Sequence, residues 1–300
     1  MTNIIIPTLN AEKQLPGLLK ALKSQTVLSE IIIVDSSSSD NTVRIAESFG
    51  VKTLIIKREE FDHGGTRNLG GKIAKGDILV YLTQDAVPFN EYAIENLIKP
   101  FEDKKTGAVF GRQLPCPDST LFGAHLRSFN YPESSYIRSL TDKLKYKIKT
   151  PFLSNSFAAY RKQALEEVGS FKENLIYGED TYAGAKLLMA GYKIAYVSDA
   201  VVYHSHNYTV FQEFKRYFDL GVFHKREKWI LEEFGRAEGE GKRYVKSEMF
   251  FLFKNRKYHL LLELFIRNGL KFAGYNLGKN YEKIPKGIIK RISMHRYWWK

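Results

Sequence analysis

The stretch DILVYLTQDAVP, residues 77–88, reads as a buried strand that ends by delivering one carboxylate, Asp85, between Gln84 and Ala86. A short apolar run bounded by polar residues suits a strand covered on both faces. Its neighbours follow the same plan. NIIIP (3–7), EIIIVD (30–35), VKTLIIK (51–57) and GAVFGR (107–112) alternate with helical patterns through the first 110 residues. Strand, helix, strand at this spacing predicts a parallel sheet with crossover helices. The helix from Asn41 to Phe49 takes Asp40 as its N-cap and stops at Gly50. In such sheets ligands bind beyond the carboxyl ends of the strands, where Asp35 and Asp85 fall.

Beyond this region the pattern loosens. Residues 113–150 are basic and aromatic and read as loop more than element. Regularity resumes with FLSNSFAAYRK (152–162) as a strand, KQALEEVG (162–169) and DTYAGAKLLMAG (180–191) as helices, and KIAYV (193–197) and AVVYH (200–204) as two strands. After His206 the chain reads helical to its end. The expectation is an α/β catalytic domain over residues 1–206 and a helical appendage over 207–300, with a basic, aromatic tail.

The 300 residues, 44% of them hydrophobic, suffice for a substantial core. A single cysteine, Cys116, excludes an internal disulfide framework and a thiolate-cluster metal site, and favours a reducing compartment. The start, MTNIIIPTLN, has no basic leader, so export is not expected. HLLLELFIRNGLKFAGYNLG (259–278) is interrupted by Glu263, Arg267 and Lys271, which describes an amphipathic helix and not a spanning one. The net charge of +13 is unevenly placed: residues 1–110 hold 13 Lys/Arg against 14 Asp/Glu, so the surplus lies beyond them. Its densest part is Lys279–Lys300, with seven Lys/Arg, one acid (Glu282) and the aromatics Tyr297, Trp298 and Trp299. That composition suits an anionic membrane surface or a nucleic acid, or else a helix that packs its Ile and Trp on the protein.

No GxGxxG follows the first strand and no GxxxxGK[ST] occurs, so a bound nucleotide needs another device for its diphosphate, and the usual one is a divalent cation held by carboxylates. Asp35 ends IIIVDSSSSDNT (31–42); it can accept from a base N–H while the serines hold ribose or phosphate, or these residues build a turn and cap the next helix. In FDHGGTRNLGGKIAKG (61–76) two glycine pairs flank Arg67 and Asn68 on what reads as the first turn of a helix. An Arg there opposes the helix dipole and points to an anionic ligand, or is simply exposed. VVYHSHNYT (201–209) places His204 and His206 on one side of an extended strand end, as a metal pair or a polar terminus. Glu179 and Asp180 precede a helix, where they cap it or where Asp180 serves as a general base held ionised by the helix N-terminus.

In this order the motifs PTLN, VDSSSSDNT, GGTRNLG, TQDA, NSFAAYRK, GED and YH resemble the signatures of family 2 glycosyltransferases of the GT-A fold, over about residues 3–207. HGGTRNLG, LTQDAVP, YHSHNYTVFQEFKRYF and KIPKGIIKRISMHRYWW are similar, more narrowly, to bacterial rhamnosyltransferases that build O-antigen or capsule chains from dTDP-rhamnose. The resemblance implies a mostly parallel, Rossmann-like central sheet flanked by helices. It implies that Pro7, Thr8, Asn10, Asp35 and Ser37 surround the nucleotide, with Asp35 on the base N–H, and that Arg67, Gln84 and Asp85 meet the donor. Asp85 would bind Mg²⁺ or Mn²⁺ with His204, ahead of His206; the usual DxD reads Thr83, Gln84, Asp85 and keeps only its second acid. Asp180 would be the base of an inverting transfer, with Asn155, Glu179 and Tyr182 facing the acceptor. The implied partners are dTDP-rhamnose, a lipid-linked saccharide and an anionic membrane surface, with no nucleic acid; the implied place is the cytoplasm, peripheral to the inner face of the cell membrane. A sugar-phosphate nucleotidyltransferase is the rival enzyme, although its glycine-rich loop should follow the first strand. A membrane- or nucleic-acid-binding module without catalysis is the rival of another class.

Overall fold

The computed structural model describes residues 1–235 and 238–299. Nine strands form one sheet: β1 (Thr2–Thr8), β2 (Ser29–Asp35), β3 (Lys52–Ile55), β4 (Ile78–Leu82), β5 (Val87–Pro88), β6 (Thr106–Leu114), β7 (Tyr136–Arg138), β8 (Phe157–Arg161) and β9 (Lys193–Tyr203). Their order is β3-β2-β1-β4-β8-β6-β9-β5, with β7 also paired to β9. The first four strands are parallel, as their alternation with helices predicts. β8 departs from that pattern. It lies between β4 and β6 and runs antiparallel to both, while β6 and β9 are parallel to each other.

The helices are α1 (Leu15–Lys23), α2 (Thr42–Ser48), α3 (His63–Ile73), α4 (Ala93–Ile98), α5 (Leu121–Asn130), α6 (Lys143–Tyr146), α7 (Lys162–Glu167), α8 (Glu179–Met189), α9 (Val210–Arg226), α10 (Lys228–Phe234), α11 (Glu238–Lys254), α12 (Leu261–Lys279) and α13 (Lys286–Ile292). Ile4, Ile6 and Val80 face one core with α1 and α4, while Ile5, Leu79 and Tyr81 face the other with α8 and α9. Period-two alternation along buried strands explains the division.

Four expectations need correction. The two strands read at 193–197 and 200–204 are one, β9, whose pairing with β6 slips between Gly111 and Arg112, so that Val197 and Val201 face consecutive residues. A bulge absorbs the extra residues and keeps both halves in the sheet. Residues 113–150 are not mainly loop: they hold α5, β7 and α6, and Thr120 caps α5 by accepting from Gly123 N. α2 begins at Thr42, which puts Asn41 and not Asp40 in the N-cap position, although Asp40 still supplies the side-chain bond, accepting from Thr42 N at 3.0 Å. Arg67 lies one turn inside α3, which begins at His63 under an Asp62 cap. Gly70 and Gly71 serve the packing of α3, since a methyl group there would collide with Ile5 and Tyr81.

The last ninety residues wrap the same core. Phe218, Val222 and Phe223 of α9 and Ile289 of α13 are buried in the sheet's second cluster. α12 crosses α9 at backbone contact, because Gly221, Gly274 and Gly278 leave no side chain between them. The charged residues of α12 face inward, the reverse of an ordinary amphipathic helix. Arg267 and Lys271 are buried and reach Glu213 of α9 at 3.1 and 3.3 Å. The tail is fastened as well: Ser293 Oγ, Met294 N and His295 N donate to the Asp219 carboxylate at 2.7, 3.0 and 3.0 Å. Trp299 packs on Phe218 and Tyr281, and Trp298 lies under Arg226.

Candidate functional site

The parallel register sets Thr8 beside Asp35 at the ends of β1 and β2. Thr8 Oγ1 and Ser38 Oγ donate to the buried Asp35 carboxylate at 2.7 and 2.6 Å, and Ser38 N donates at 2.8 Å. Asn10 and Ser37 both adopt left-handed backbone conformations. The Asn10 side chain accepts from Ser39 N, and Ser37 Oγ donates to the Ile56 carbonyl. Pro7, Thr8, Asn10, Asp35 and Ser37 therefore form one rim at the carboxyl edge of the sheet. Gln84 ties the TQDA turn to it, accepting from Leu9 N at 2.9 Å and donating to Leu9 O at 3.3 Å.

β4 leads into the turn that carries Asp85, and β9 ends at Tyr203, one residue before His204. The Asp85 carboxylate lies 3.4 Å from His204 Nε2 and 3.8 Å from His206 Nδ1. The donor atoms of the three residues all fall within 4.8 Å of one another. Two residues that sequence reasoning missed orient His204. Arg127 Nη1 donates to Gln113 Oε1 at 2.5 Å, and His204 Nδ1 lies 2.8 Å from the same oxygen. Because a guanidinium only donates, Gln113 must present its oxygen there, and that oxygen can only accept a proton carried by His204 Nδ1. Burial lowers the His204 pKa and keeps the ring neutral, so Nε2 holds a lone pair toward the carboxylate. Two electron-rich atoms facing each other in this way fit a divalent cation, with Gln113 and Arg127 as the outer support that metal-binding imidazoles require.

The second cluster surrounds the start of α8. Arg67 Nη1 lies 3.2 Å from Glu179 Oε1 and donates to the His63 carbonyl at 2.8 Å, so its buried charge is met inside the protein. Asn155 Nδ2 donates to Glu179 Oε1 at 3.1 Å, Asn155 N donates to Asp180 Oδ2 at 3.3 Å, and Tyr160 holds the Asn155 oxygen at 2.7 Å. The two adjacent acids are driven apart. Burial is the largest influence on Glu179 and works to raise it, but the charge of Arg67, the His63 ring and the hydrogen bonds from Asn155 and the backbone together outweigh it and hold this carboxyl below its usual range. Asp180 is pushed up to about 7, first by burial and then by the neighbouring Glu179 charge, in place of the fully ionised state that a helix N-terminus alone predicts. Two carboxyls with opposed shifts are a signature of divided roles.

One short segment joins the clusters. Asn155 N bonds Asp180 while the carbonyl of the next residue, Ser156, accepts from Thr83 N at 3.4 Å, two positions before Asp85. Arg216 of α9, also missed from sequence, donates to the Tyr177 hydroxyl at 3.0 Å and lies over the Tyr208 ring. Its charge is felt at both His204 and His206. Tyr182 is not brought to this group: two residues past Asp180 it faces the other side of α8 and packs on Trp229.

A sheet of this order, with an acid after its fourth strand, imidazoles after its last long one and a shifted carboxyl at the head of the intervening helix, defines a GT-A glycosyltransferase. Solved structures share the fold: the mannosyltransferase from Pyrobaculum calidifontis in complex with GDP-Man and Mn²⁺ superposes with a TM-score of 0.58 at 18% identity, covering 99% of this chain and 82% of that one. S. aureus TarS 1–349 in complex with UDP-GlcNAc gives 0.56 at 16% identity, covering 94% and 91%. The chain belongs to glycosyl transferase family 2, whose profile matches residues 3–169. It is 45% identical over 299 residues to the O-antigen chain rhamnosyltransferase RfbN of Salmonella typhimurium (strain LT2), and 44% identical over 299 residues to WbaN of Salmonella anatum; each match covers 99% of this chain and 95% of the relative.

Proposed function

We propose that this glycosyltransferase moves L-rhamnose from dTDP-β-L-rhamnose onto a hydroxyl of a lipid-linked saccharide during O-antigen synthesis, with inversion at the anomeric carbon. The observation that carries the reading is the 45% identity to an O-antigen chain rhamnosyltransferase over nearly the whole of both chains. In the reaction, the acceptor oxygen attacks the anomeric carbon as the bond from that carbon to the diphosphate oxygen breaks. Asp180 takes the hydroxyl proton, for which a carboxyl poised at about 7 is well matched at neutral pH. Asn155 and Glu179 fix the position of Asp180, and Arg67 keeps Glu179 ionised beside it. The rim of Pro7, Thr8, Asn10, Asp35 and Ser37 receives the nucleoside, with Gln84 setting the spacing between rim and TQDA turn. Arg216 faces the departing diphosphate. A divalent cation, Mg²⁺ or Mn²⁺, held by Asp85 and His204 with His206 beside them, supplies charge neutralisation for that diphosphate.

In the glycine-rich segment that made a nucleotidyltransferase conceivable, Gly64 packs against the Lys172 carbonyl and Gly70 and Gly71 against Ile5 and Tyr81 of the sheet, which favours transfer of the sugar over transfer of the nucleotide. Among the described residues no helix is long and apolar enough to cross a membrane. We place the enzyme in the cytoplasm at the inner membrane face, where nucleotide sugar and lipid-linked acceptor meet. A donor screen tests the function: release of dTDP from dTDP-rhamnose, with UDP and GDP sugars inert, is expected, and a preference for another sugar nucleotide sinks the donor assignment. Product stereochemistry by NMR tests inversion. Asp85→Ala should abolish metal-dependent turnover, and full activity in that variant would take Asp85 out of the cation site.

A further inference from the structure

α12 is turned inside out. An amphipathic helix of a globular protein points its apolar stripe at the core, but here Arg267 and Lys271 take the inner face with Gly274 and Gly278. The outer face carries Leu262, Phe265, Ile266 and Phe272, at 72, 58, 48 and 71% exposure. These four recur at helical spacing and form one stripe. α11 packs on α12 through Leu252 and Leu264 and adds Phe250, 69% exposed, and Phe253, whose ring meets Tyr258 where the hairpin turns. So many large exposed apolar side chains on one helical hairpin mark a docking surface.

The charge around the patch selects the partner. Lys246, Lys254, Arg256 and Lys257 are exposed along its border. Between residues 241 and 279 the acids are only two, and both are spent: Glu248 is buried and bonded to Tyr244 and Asn268, and Glu263 is held by Arg267 at 2.7 Å. A second copy meeting this face would oppose its basic border with the same charge. Exposed phenylalanines beside Lys and Arg that have no acidic partner among the described residues match the interface of an anionic bilayer.

We propose that the α11–α12 hairpin, and not the C-terminal tail, seats the enzyme on an anionic membrane surface. The tail's Trp298 and Trp299 are committed to α9 and Tyr281 and are not free to insert. The hairpin is also joined to the catalytic region, since Arg267 Nη1 donates to the Tyr208 carbonyl at 3.0 Å, two residues after His206. Docking therefore sets the height of the metal-binding turn above the lipid. This deepens the reading of a lipid-linked acceptor and rests on it for its purpose, but binding itself is measurable without that acceptor.

The test is flotation of the full-length protein with vesicles of phosphatidylethanolamine and phosphatidylglycerol that contain no saccharide lipid, against vesicles of phosphatidylcholine alone. The wild type should float with the anionic vesicles and lose part of that binding in high salt. Phe265→Ser with Phe272→Ser should lower the partition coefficient by about tenfold or more, and Lys254→Glu with Lys257→Glu should remove the preference for anionic lipid. Both variants should keep wild-type circular dichroism and sugar-nucleotide turnover on a soluble acceptor. Unchanged flotation of the double-serine variant overturns the proposal, as does flotation lost only when the tail is neutralised. A wild-type dimer that the serine variant dissociates would also overturn it, by making a second copy the occupant. If vesicles bind but lipid-linked saccharide is not a substrate, the acceptor assignment fails and the docking surface stands.

Discussion

Replacing Asp180 by asparagine should trade activity for stability in a pH-dependent way. The carboxyl titrates near 7 in the folded protein against an ordinary 3.8. A raised pKa means that the protonated form is the one the fold tolerates, so stability is complete below about pH 4 and falls as the pH rises through about 7. The full shift corresponds to roughly 4 kcal/mol above neutrality, but Asp180 is only partly buried, and solvent screening leaves about 2 kcal/mol. Asparagine carries no such penalty. It presents one oxygen to the two backbone donors, Thr181 N at 2.6 Å and Asn155 N at 3.3 Å, and losing one of these bonds costs about 1 kcal/mol. Asp180→Asn should thus be about 1 kcal/mol more stable than wild type near pH 8 and equal or weaker near pH 5. Urea unfolding at the two pH values reads the difference directly. Turnover should drop by about two to four orders of magnitude while dTDP-rhamnose still binds. A stability difference that does not change with pH would refute the burial argument, and retained turnover would refute the assignment of the base.

Other substitutions probe the supports of the site. Arg67→Met strands the buried Glu179 carboxylate and should cost about 3–5 kcal/mol in denaturant titration; a loss under 1 kcal/mol would mean that Glu179 is not ionised. Gln113→Leu removes the acceptor that fixes the His204 tautomer and should weaken Mn²⁺ binding about 10- to 100-fold by calorimetry, with the nucleotide rim intact. Gly70→Ala drives a methyl into Ile5 and should destabilise by about 1–3 kcal/mol in urea, a shift that no surface helical glycine would show. Wild-type kcat/KM should rise about tenfold between pH 6 and pH 8 as Asp180 ionises, and a profile flat over that range would separate Asp180 from proton transfer.

The parallel half of the sheet was legible because each strand carries its own apolar run and each crossover helix its own amphipathic face. The carboxyl-end rule then singled out Asp35 and Asp85 without any tertiary information. What escaped was whatever depends on one strand meeting another. β8 has the composition of any buried strand, and nothing in FAAYR tells that it runs antiparallel between β4 and β6. Gln113 and His204 lie 91 residues apart, and only the pairing of Leu114 with Tyr203 brings them together. Arg67 was noticed for the right reason, a charge in an odd place, but its partner is an internal carboxylate 112 residues later in the chain. α12 is the amphipathic, non-spanning helix that its spacing describes, but periodicity reveals only that a helix has two faces and cannot say which one the protein covers.

The insertion of β8 also sets a schedule for synthesis. β1 to β4 pair among themselves as soon as they have left the ribosome, but β6 has neither long neighbour until β8 and then β9 emerge. At about 5–20 residues per second, β6 waits roughly two to nine seconds for β8 with both edges open. TGAVFGRQL has few charges to discourage pairing with another nascent chain during that interval. Any pause in translation between β6 and β8 therefore lengthens the time this strand spends with both edges unpaired.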